Sequence, residues 1–165
     1  MKVSCAQIDP VIADIRGNTD KIVAAIGEAR NCNSDLVVFP EMATLGYPPM
    51  DLLHNRKLIY DNIVALEEIA RYAEGIAVIC GYVDIDPSAS PCLLNAAAFM
   101  ADGRIASRHV KSLLPTYDVF DEQRYFSPAR QVFPAEYKGK KIGITICEDI
   151  WNDTDTGATG EYIEG

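Results

Sequence analysis

A cysteine stands at the end of a short apolar run near the end of the chain. Residues 140–151 read KKIGITICEDIW, so Cys147 closes the run and two carboxylates follow it. Glu41 and Lys111 close two other segments that we predict to be strands. In open α/β sheets, reactive groups converge at strand ends around a crevice. We therefore treat one acid, one amine and one thiol as a candidate catalytic group.

A cysteine thiol needs assistance to act as a nucleophile at neutral pH. Its ordinary pKa of about 8.5 leaves it mostly protonated, so it requires a base that takes the proton or a cation that favours the thiolate. Glu41 can supply the base and Lys111 the cation. When sulfur attacks an amide carbonyl, Lys111 and the backbone N–H of Glu148 can stabilise the charge on oxygen, one good donor being worth about 3 kcal/mol. Glu41 can then pass its proton to departing ammonia and activate the water that hydrolyses the thioester.

Each of these residues also fits a structural role when it is taken alone. Cys147 fits a buried structural cysteine, since free cysteine is among the most buried residue types. Glu41 fits a loop carboxylate or a helix cap, and Lys111 fits a solvated charge. The spacing between the three residues does not separate these alternatives.

The first half of the chain alternates between predicted strands and helices. We predict a strand at about residues 2–8 and a buried strand at 36–39 that leads to Glu41. One helix spans about residues 50–74 and ends at Gly75. Between the two strands lies another helix, capped by Asn18, with one face formed by Ile22, Val23, Ile26 and Ala29.

The second half is predicted to contain a strand at residues 76–85 and a hairpin. The hairpin arms, residues 94–101 and 104–110, flank Asp102-Gly103, where glycine accepts a positive φ. Residues 112–138 are predicted to be loops with one short helix, and a final strand covers 141–146. This order predicts a mixed sheet with helices on its faces.

Length, composition and charge favour one α/β domain. The 165 residues are 48% hydrophobic and carry a net charge of −9 without a basic block, which argues against nucleic-acid or anionic-membrane partners. No run approaches the roughly 20 apolar residues of a membrane span, and the N-terminus lacks a signal core, so we expect a cytoplasmic protein. Five scattered cysteines without a C-x-x-C pair, and only two histidines, suggest neither a disulfide framework nor a metal site.

Three segments together resemble the signature regions of the nitrilase superfamily. They read FPEMATLGYPPMDLL at residues 39–53, HVKSLLPTYDVFDEQRYF at 109–126 and GITICEDIWN at 143–152. The similarity spans nearly the whole chain. It is sharpest to the glutamine-hydrolysing domains of glutamine-dependent NAD synthetases, whose lysine region reads K-S-x-L-P-T-Y and whose cysteine region reads C-E-D-x-W. The resemblance implies an α/β fold, namely a nitrilase-like α-β-β-α sandwich with mixed sheets.

The resemblance also implies a role for each member of the candidate group. Glu41 is expected to be the general base, Lys111 the cation on the oxyanion side and Cys147 the acylated nucleophile. Glu122 matches a second glutamate that positions the lysine and the proton transfer. A surface carboxylate is the alternative reading of Glu122.

Substrate binding is implied for two further residues. Tyr117 matches a tyrosine that lines the glutamine pocket, although a loop aromatic also fits simple packing. Glu148 is expected to bind the α-ammonium of L-glutamine, because an uncompensated carboxylate there would only raise the pKa of the neighbouring thiol. Asp149 and Trp151 are expected to support the strand end.

The last residues suggest that the chain is a fragment. Residues 153–165 are polar and glycine-rich, and no predicted core element follows them. We expect residues 1–165 to be the N-terminal portion of a nitrilase-like glutaminase domain, incomplete at its C-terminal end. The resemblance implies no cofactor for this portion, with ATP and Mg only in a missing C-terminal synthetase domain that amidates deamido-NAD. L-glutamine, that domain and further copies of the chain in a homo-oligomer are the expected partners.

Two other functions stay open at this point. A stand-alone nitrilase-like amidase or carbamoylase acting on another small amide would share the acid, amine and thiol without needing Glu148 or Tyr117. A non-catalytic packing or oligomerisation fragment would need none of these residues to be reactive.

Overall fold

The structure, a computed structural model, describes residues 1–151 and arranges them around a five-stranded sheet. The helices are α1 (Ile15–Asn31) and α2 (Arg56–Ala70). The strands of the main sheet are β1 (Val3–Cys5), β2 (Leu36–Val38), β3 (Ala77–Ile85), β4 (Leu93–Ala101) and β5 (Arg104–Val110), and β6 (Ala135–Tyr137) pairs with β7 (Lys140–Ile142). Short 3₁₀ helices cover Met50–His54, Glu122–Arg124 and Cys147–Trp151. No helix within residues 1–151 is long and apolar enough to cross a membrane.

Strand direction decides which residues meet at one edge of the sheet. The order is β1-β2-β3-β4-β5, with β1, β2 and β3 parallel and β4 antiparallel to both of its neighbours. The carboxyl ends of β2, β3 and β5 therefore lie at the same edge as the amino end of β4. The predicted hairpin is confirmed, with positive φ at both Asp102 and Gly103 between β4 and β5.

Each face of the main sheet is covered by a different layer. Both helices pack on one face, where Ile22 and Ile26 of α1 and Leu66 and Ile69 of α2 are buried against strand side chains such as Val78. The β6–β7 hairpin and the segment that follows it pack on the other face. The described residues thus form an α-β-β arrangement. The predicted mixed sheet is confirmed, whereas within residues 1–151 helices cover only one of its faces.

Helix α1 begins earlier than its sequence suggested, and Asn18 is not its cap. Asp14 caps the helix by accepting a hydrogen bond from Gly17 N at 3.0 Å. Asn18 is buried inside α1, and its amide donates to the backbone oxygens of Val11 and Thr44. It therefore joins two loops at the edge of the sheet where β2 ends.

The predicted helix at residues 50–74 is instead a 3₁₀ turn followed by α2. Asn55 separates them, because its extended backbone ends the 3₁₀ turn. Its side chain then accepts hydrogen bonds from Lys57 N and Leu58 N and caps α2. The helix ends at Ala70, five residues before Gly75.

The predicted strand at residues 141–146 is also shorter than expected. Only Lys140–Ile142 pairs with another strand. Ile144 and Ile146 still alternate inward against the sheet, but no strand among residues 1–151 pairs with them. The apolar alternation is therefore present without the hydrogen-bonded ladder, and Cys147 follows an extended segment instead of a strand.

Gly81 allows the loop after β2 to lie directly on β3. A Cβ at this position would sit 2.5 Å from both Met42 N and Pro40 O and 2.8 Å from Glu41 C. These are backbone atoms, which cannot move aside as a flexible side chain would. The absence of a side chain at Gly81 thus lets Glu41 cross β3 toward β4 and β5.

Candidate active site

Lys111 and Glu41 meet at the edge of the sheet where β2 and β5 end. Lys111 Nζ lies 2.8 Å from Glu41 Oε1. The lysine side chain is fully buried and that of Glu41 is 16% exposed. The solvated lysine considered as an alternative is therefore wrong. An ammonium removed from water requires a close counter-charge, and Glu41 provides one.

Glu122 provides a second counter-charge for Lys111. Lys111 Nζ lies 2.9 Å from Glu122 Oε1, and Glu122 is buried. The 3₁₀ helix that carries Glu122 is fixed by buried Tyr125 and Phe126, and Glu122 N donates to Pro115 O. The surface alternative for Glu122 is thus also wrong.

The charges of this cluster shift one another's pKa values. Burial alone would lower the pKa of Lys111, but Glu41 and Glu122 raise it above its ordinary value, so the ammonium stays charged. Burial, together with repulsion from Glu41, raises the pKa of Glu122 despite the opposing effect of Lys111. One cation thus faces two carboxylates, and burial disfavours the ionised form of Glu122.

Sequence reasoning missed two members of this cluster. Asn95 Nδ2 lies 2.6 Å from Glu41 Oε1 and 3.3 Å from Glu122 Oε2. The Tyr47 hydroxyl donates to Glu122 Oε1 at 2.9 Å. Asn95 lies near the amino end of β4, and only the antiparallel direction of β4 brings it to this edge. The available signal was a lone asparagine at the start of a strand rich in alanine.

Cys147 lies within electrostatic range of this cluster, on a turn with an uncommon backbone conformation. It is exposed and begins the 3₁₀ helix Cys147–Trp151 with a φ of +47°. Such a φ is uncommon for any residue other than glycine and is enriched at functional sites. The fully buried structural cysteine considered as an alternative is therefore wrong for Cys147. Cys80 has that character, because it is fully buried and burial raises the pKa of its thiol to about 12.

The thiol of Cys147 is linked to the cluster through charge. Partial burial raises its pKa, Glu41 and Glu122 raise it further, and Lys111 acts in the opposite direction. Within residues 1–151, the thiol makes no hydrogen bond to Glu41 or Lys111. Lys111 was expected to favour the thiolate. The effects of burial and of the carboxylates on the pKa of Cys147 outweigh that of Lys111. The thiol is thus protonated at neutral pH and needs a base.

Asp149 joins the turn that carries Cys147 to the segment that follows Lys111. Its Oδ1 accepts hydrogen bonds from Ser112 N at 2.8 Å and Leu113 N at 2.9 Å. Its Oδ2 accepts one from Ile146 N at 3.0 Å. The Asp149 carboxylate thus binds the two residues that follow Lys111 and the residue that precedes Cys147.

Tyr117 and Glu148 contact each other beside the thiol. The Tyr117 hydroxyl lies 3.0 Å from both oxygens of Glu148. Tyr117 is exposed and Glu148 is half-buried, so the pair remains accessible from solvent. Trp151 is 58% exposed, so the support predicted for this turn comes from Asp149.

Neither histidine lies among these residues, and among residues 1–151 no group of three His, Cys, Asp or Glu side chains could hold a metal ion. The cluster instead combines a buried cation, two carboxylates, an amide and a nearby thiol. This combination suits proton transfer and nucleophilic attack on a carbonyl group.

The sequence of residues 2–159 matches the carbon-nitrogen hydrolase family. The chain belongs to this family. The predicted membership of the nitrilase superfamily is therefore confirmed. The glutamine-dependent NAD(+) synthetase of Thermotoga maritima is 38% identical over the whole chain, and that of Synechocystis is 40% identical over 92% of it.

Solved structures of related fold also resemble this carbon-nitrogen hydrolase chain. A glutamine-dependent NAD+ synthetase from Acinetobacter baumannii superposes with a TM-score of 0.84 at 37% identity over 91% of this chain. An amidase from Nesterenkonia superposes with a TM-score of 0.76 at 22% identity, which supports the fold alone. The predicted mixed α/β fold is confirmed. The chain spans 28% of the length of each of these synthetases and 56% of that amidase.

Proposed function

We propose that this chain hydrolyses the side-chain amide of glutamine through a Cys147 thioester. The observation that carries the proposal is the fully buried Lys111 between Glu41 and Glu122, within electrostatic reach of an exposed thiol. A buried lysine with two acids is costly to maintain for stability alone, since desolvation offsets much of the ionic attraction. The Lys111 ammonium can stabilise the negative charge that develops on the substrate oxygen, which is a chemical reason to keep it buried beside two acids.

Glu41 is the proposed general base. The raised pKa of Cys147 keeps its proton on sulfur until attack begins, and Glu41 accepts that proton as the S–C bond forms. The tetrahedral intermediate then collapses, the C–N bond breaks, and Glu41 returns the proton to departing ammonia. Glu41 next deprotonates a water molecule that attacks the thioester, releasing glutamate and restoring the thiol.

Lys111 is the proposed oxyanion donor, together with the backbone N–H of Glu148. The two carboxylates keep the ammonium charged, so it carries its full charge throughout the reaction. Glu122 is not proposed to exchange protons with substrate. It anchors Lys111 through a second ion pair at 2.9 Å and so is proposed to act as a positioning residue.

Glutamine recognition is assigned to Tyr117 and Glu148. Glu148 presents a carboxylate next to the nucleophile, and the Tyr117 hydroxyl holds it in place at 3.0 Å. A free amino acid brings an α-ammonium that this carboxylate can bind. A simple aliphatic amide has no such group, so the pair favours glutamine.

The released ammonia is proposed to serve a synthetase portion of the same protein. Support comes from the similar chains, which are named glutamine-dependent NAD synthetases and are more than three times longer than this chain. Residues 1–165 would then form the N-terminal portion of the glutaminase domain. ATP and Mg are assigned to the synthetase portion, where deamido-NAD would receive the nitrogen.

Substitution of the nucleophile in the full-length protein tests this proposal. Cys147→Ala is expected to abolish NAD synthesis from glutamine while leaving synthesis from added ammonium salt within about twofold of wild type, because only the first step uses the thiol. Cys5→Ala, which removes another exposed cysteine, is the matched control and should change neither rate. Retention of glutamine-dependent synthesis by Cys147→Ala would contradict the proposed nucleophile.

A stand-alone amidase is the second candidate, supported by the common fold with the Nesterenkonia amidase. Rates of ammonia release from glutamine and from a short aliphatic amide separate the two. We expect kcat/KM for glutamine to exceed that for the aliphatic amide by at least about tenfold. A preference for the aliphatic amide would favour the amidase.

A further inference from the structure

The amide of Asn95 bridges the two carboxylates that flank Lys111. Its nitrogen lies 2.6 Å from Glu41 Oε1 and 3.3 Å from Glu122 Oε2. A primary amide nitrogen carries two N–H groups, so it can donate to both acids at once. Because Asn95 is fully buried, these hydrogen bonds form in a low-dielectric environment where they are stronger than at the surface.

We propose that Asn95 is a positioning residue that sets the orientation of Glu41 for proton transfer and holds both glutamates beside Lys111. The inference rests on the proposed amide hydrolysis, in which Glu41 is the base. Asn95 does not contact the thiol or take part in bond formation. It acts through the carboxylates.

The two donors to Glu41 meet at a single oxygen. Lys111 Nζ at 2.8 Å and Asn95 Nδ2 at 2.6 Å both reach Oε1. Within residues 1–151, no hydrogen bond reaches Oε2. Two donors on one oxygen fix the rotation of the carboxylate and leave the other oxygen to accept the proton of Cys147.

The use of the amide differs from that of a structural asparagine. Asn95 Oδ1 is buried and, within residues 1–151, has no hydrogen-bond partner. Asn62, equally buried, uses both ends of its amide: Oδ1 accepts from Thr44, and Nδ2 donates to Val83 O at 2.6 Å. Only the donating end of Asn95 is engaged, and both of its partners are members of the charge cluster.

A neutral donor is well suited to this place. Two carboxylates share one ammonium, so the ion cluster carries an excess negative charge when both are ionised. Asn95 offsets part of their repulsion without adding a charge. The titratable groups in and around this cluster are Glu41, Glu122, Lys111, Tyr47, Cys147 and, beside the thiol, Glu148.

Two substitutions in the full-length protein test the role. Asn95→Asp keeps the shape but removes the donors and adds a third carboxylate, whereas Asn95→Leu removes the donors without adding charge. For both we expect kcat for glutamine hydrolysis to fall by about 100-fold or more, with KM within about threefold of wild type. In Asn95→Asp the acid limb of kcat/KM should move to higher pH, because an added negative charge raises the pKa of the base.

Asn62→Asp is the matched control, since it also places a carboxylate at a fully buried asparagine. It should lower the melting temperature and leave the acid limb unchanged. A folded Asn95→Asp or Asn95→Leu protein with wild-type kcat and an unmoved acid limb would overturn the positioning role.

Alkylation of Cys147 separates this inference from the proposed function. Iodoacetamide labelling of the Cys147 peptide, followed by mass spectrometry at pH 8, does not depend on the substrate. Asn95→Asp should slow labelling, because a further carboxylate raises the pKa of the thiol. An unchanged labelling rate counts against the inference, even if the wild-type protein hydrolyses an amide other than glutamine. If wild type hydrolyses glutamine and the Asn95 variants match it, the proposed function stands and the inference fails.

A crystal structure of the wild-type protein decides the matter if neither variant folds. Asn95 Nδ2 within 3.5 Å of both carboxylates is expected. An amide turned away from either glutamate overturns the inference.

Discussion

The ion cluster and the turn that carries the thiol are built in opposite ways. Lys111 and Glu122 are buried, and each is held by several charged or polar partners at the edge of the sheet. Cys147 is exposed on a short turn that is tied to the rest of the site through Asp149. The difference teaches that the buried charges are held in place by the fold, whereas the thiol proposed as the nucleophile stays exposed to solvent.

Removal of the buried cation tests the cluster most severely. Lys111→Met fills a similar volume but leaves the buried Glu122 and the partly buried Glu41 without a counter-charge, so we expect a loss of about 3–5 kcal/mol in the free energy of unfolding. Glutamine hydrolysis should be abolished. Urea unfolding and ammonia release measure the two effects.

Lys140→Met is the control for that substitution, because Lys140 is exposed in β7. It should change the free energy of unfolding by less than about 0.5 kcal/mol. If Lys111→Met is no more destabilising than Lys140→Met, the cluster is not held together by its charges.

Weakening of the Asp149 contacts tests the turn. Asp149→Asn keeps the size of the side chain but loses the charge that strengthens three backbone hydrogen bonds, so we expect a loss of about 2 kcal/mol by urea unfolding. The rate of glutamine hydrolysis should fall as the thiol moves relative to Lys111. Asp102→Asn, in the exposed hairpin turn, is the control; equal effects of the two substitutions would argue against a link between turn and cluster.

The buried acid Glu122 gives the cluster a pH-dependent stability. Because the pKa of Glu122 is raised above its ordinary 4.5, its contribution to stability is fully present below pH 4.5 and is lost as pH rises through the folded pKa. The stability of wild type relative to Glu122→Gln should therefore decrease between pH 4 and pH 7. Urea unfolding across this range measures it, and a difference that is constant or increases with pH would show that Glu122 is not strained by burial.

Loss of one hydroxyl at the entrance to the site gives the smallest effect. Tyr117→Phe should leave the free energy of unfolding within about 0.5 kcal/mol of wild type, since Tyr117 is exposed. The KM for glutamine should rise by about three- to tenfold, because Glu148 loses its hydrogen bond. Tyr60→Phe, on the exposed side of α2, should leave KM unchanged; an unchanged KM in Tyr117→Phe would remove Tyr117 from the proposed glutamine site.

The convergence of Glu41 and Lys111 could be predicted from the sequence, because each follows a predicted strand and reactive groups gather at strand ends. Their contact agrees with that expectation, while their catalytic roles stay a prediction. Asn95 could not be found in this way, because it stands at the start of its strand and reaches the site only through the antiparallel pairing of β4. The prediction that Asn18 caps the first helix was wrong, because its amide donates hydrogen bonds to two loops and Asp14 caps the helix.

Elements with strong local signals were predicted best. The Asp102-Gly103 hairpin depends on two neighbouring residues that accept positive φ. The strand expected at residues 141–146 depended on pairing with distant residues, and apolar alternation does not report whether such a partner is present.

The contact at Gly81 has a consequence for how such a site can diverge. The backbone of the residues before and after Glu41 rests directly on Gly81 of β3, and this contact fixes how far Glu41 lies from the sheet. Insertions or deletions farther along the loop after β2 can reshape the entrance to the site while Glu41 keeps its position. Substrate preference and reaction chemistry can therefore change independently in this scaffold, provided position 81 remains without a side chain.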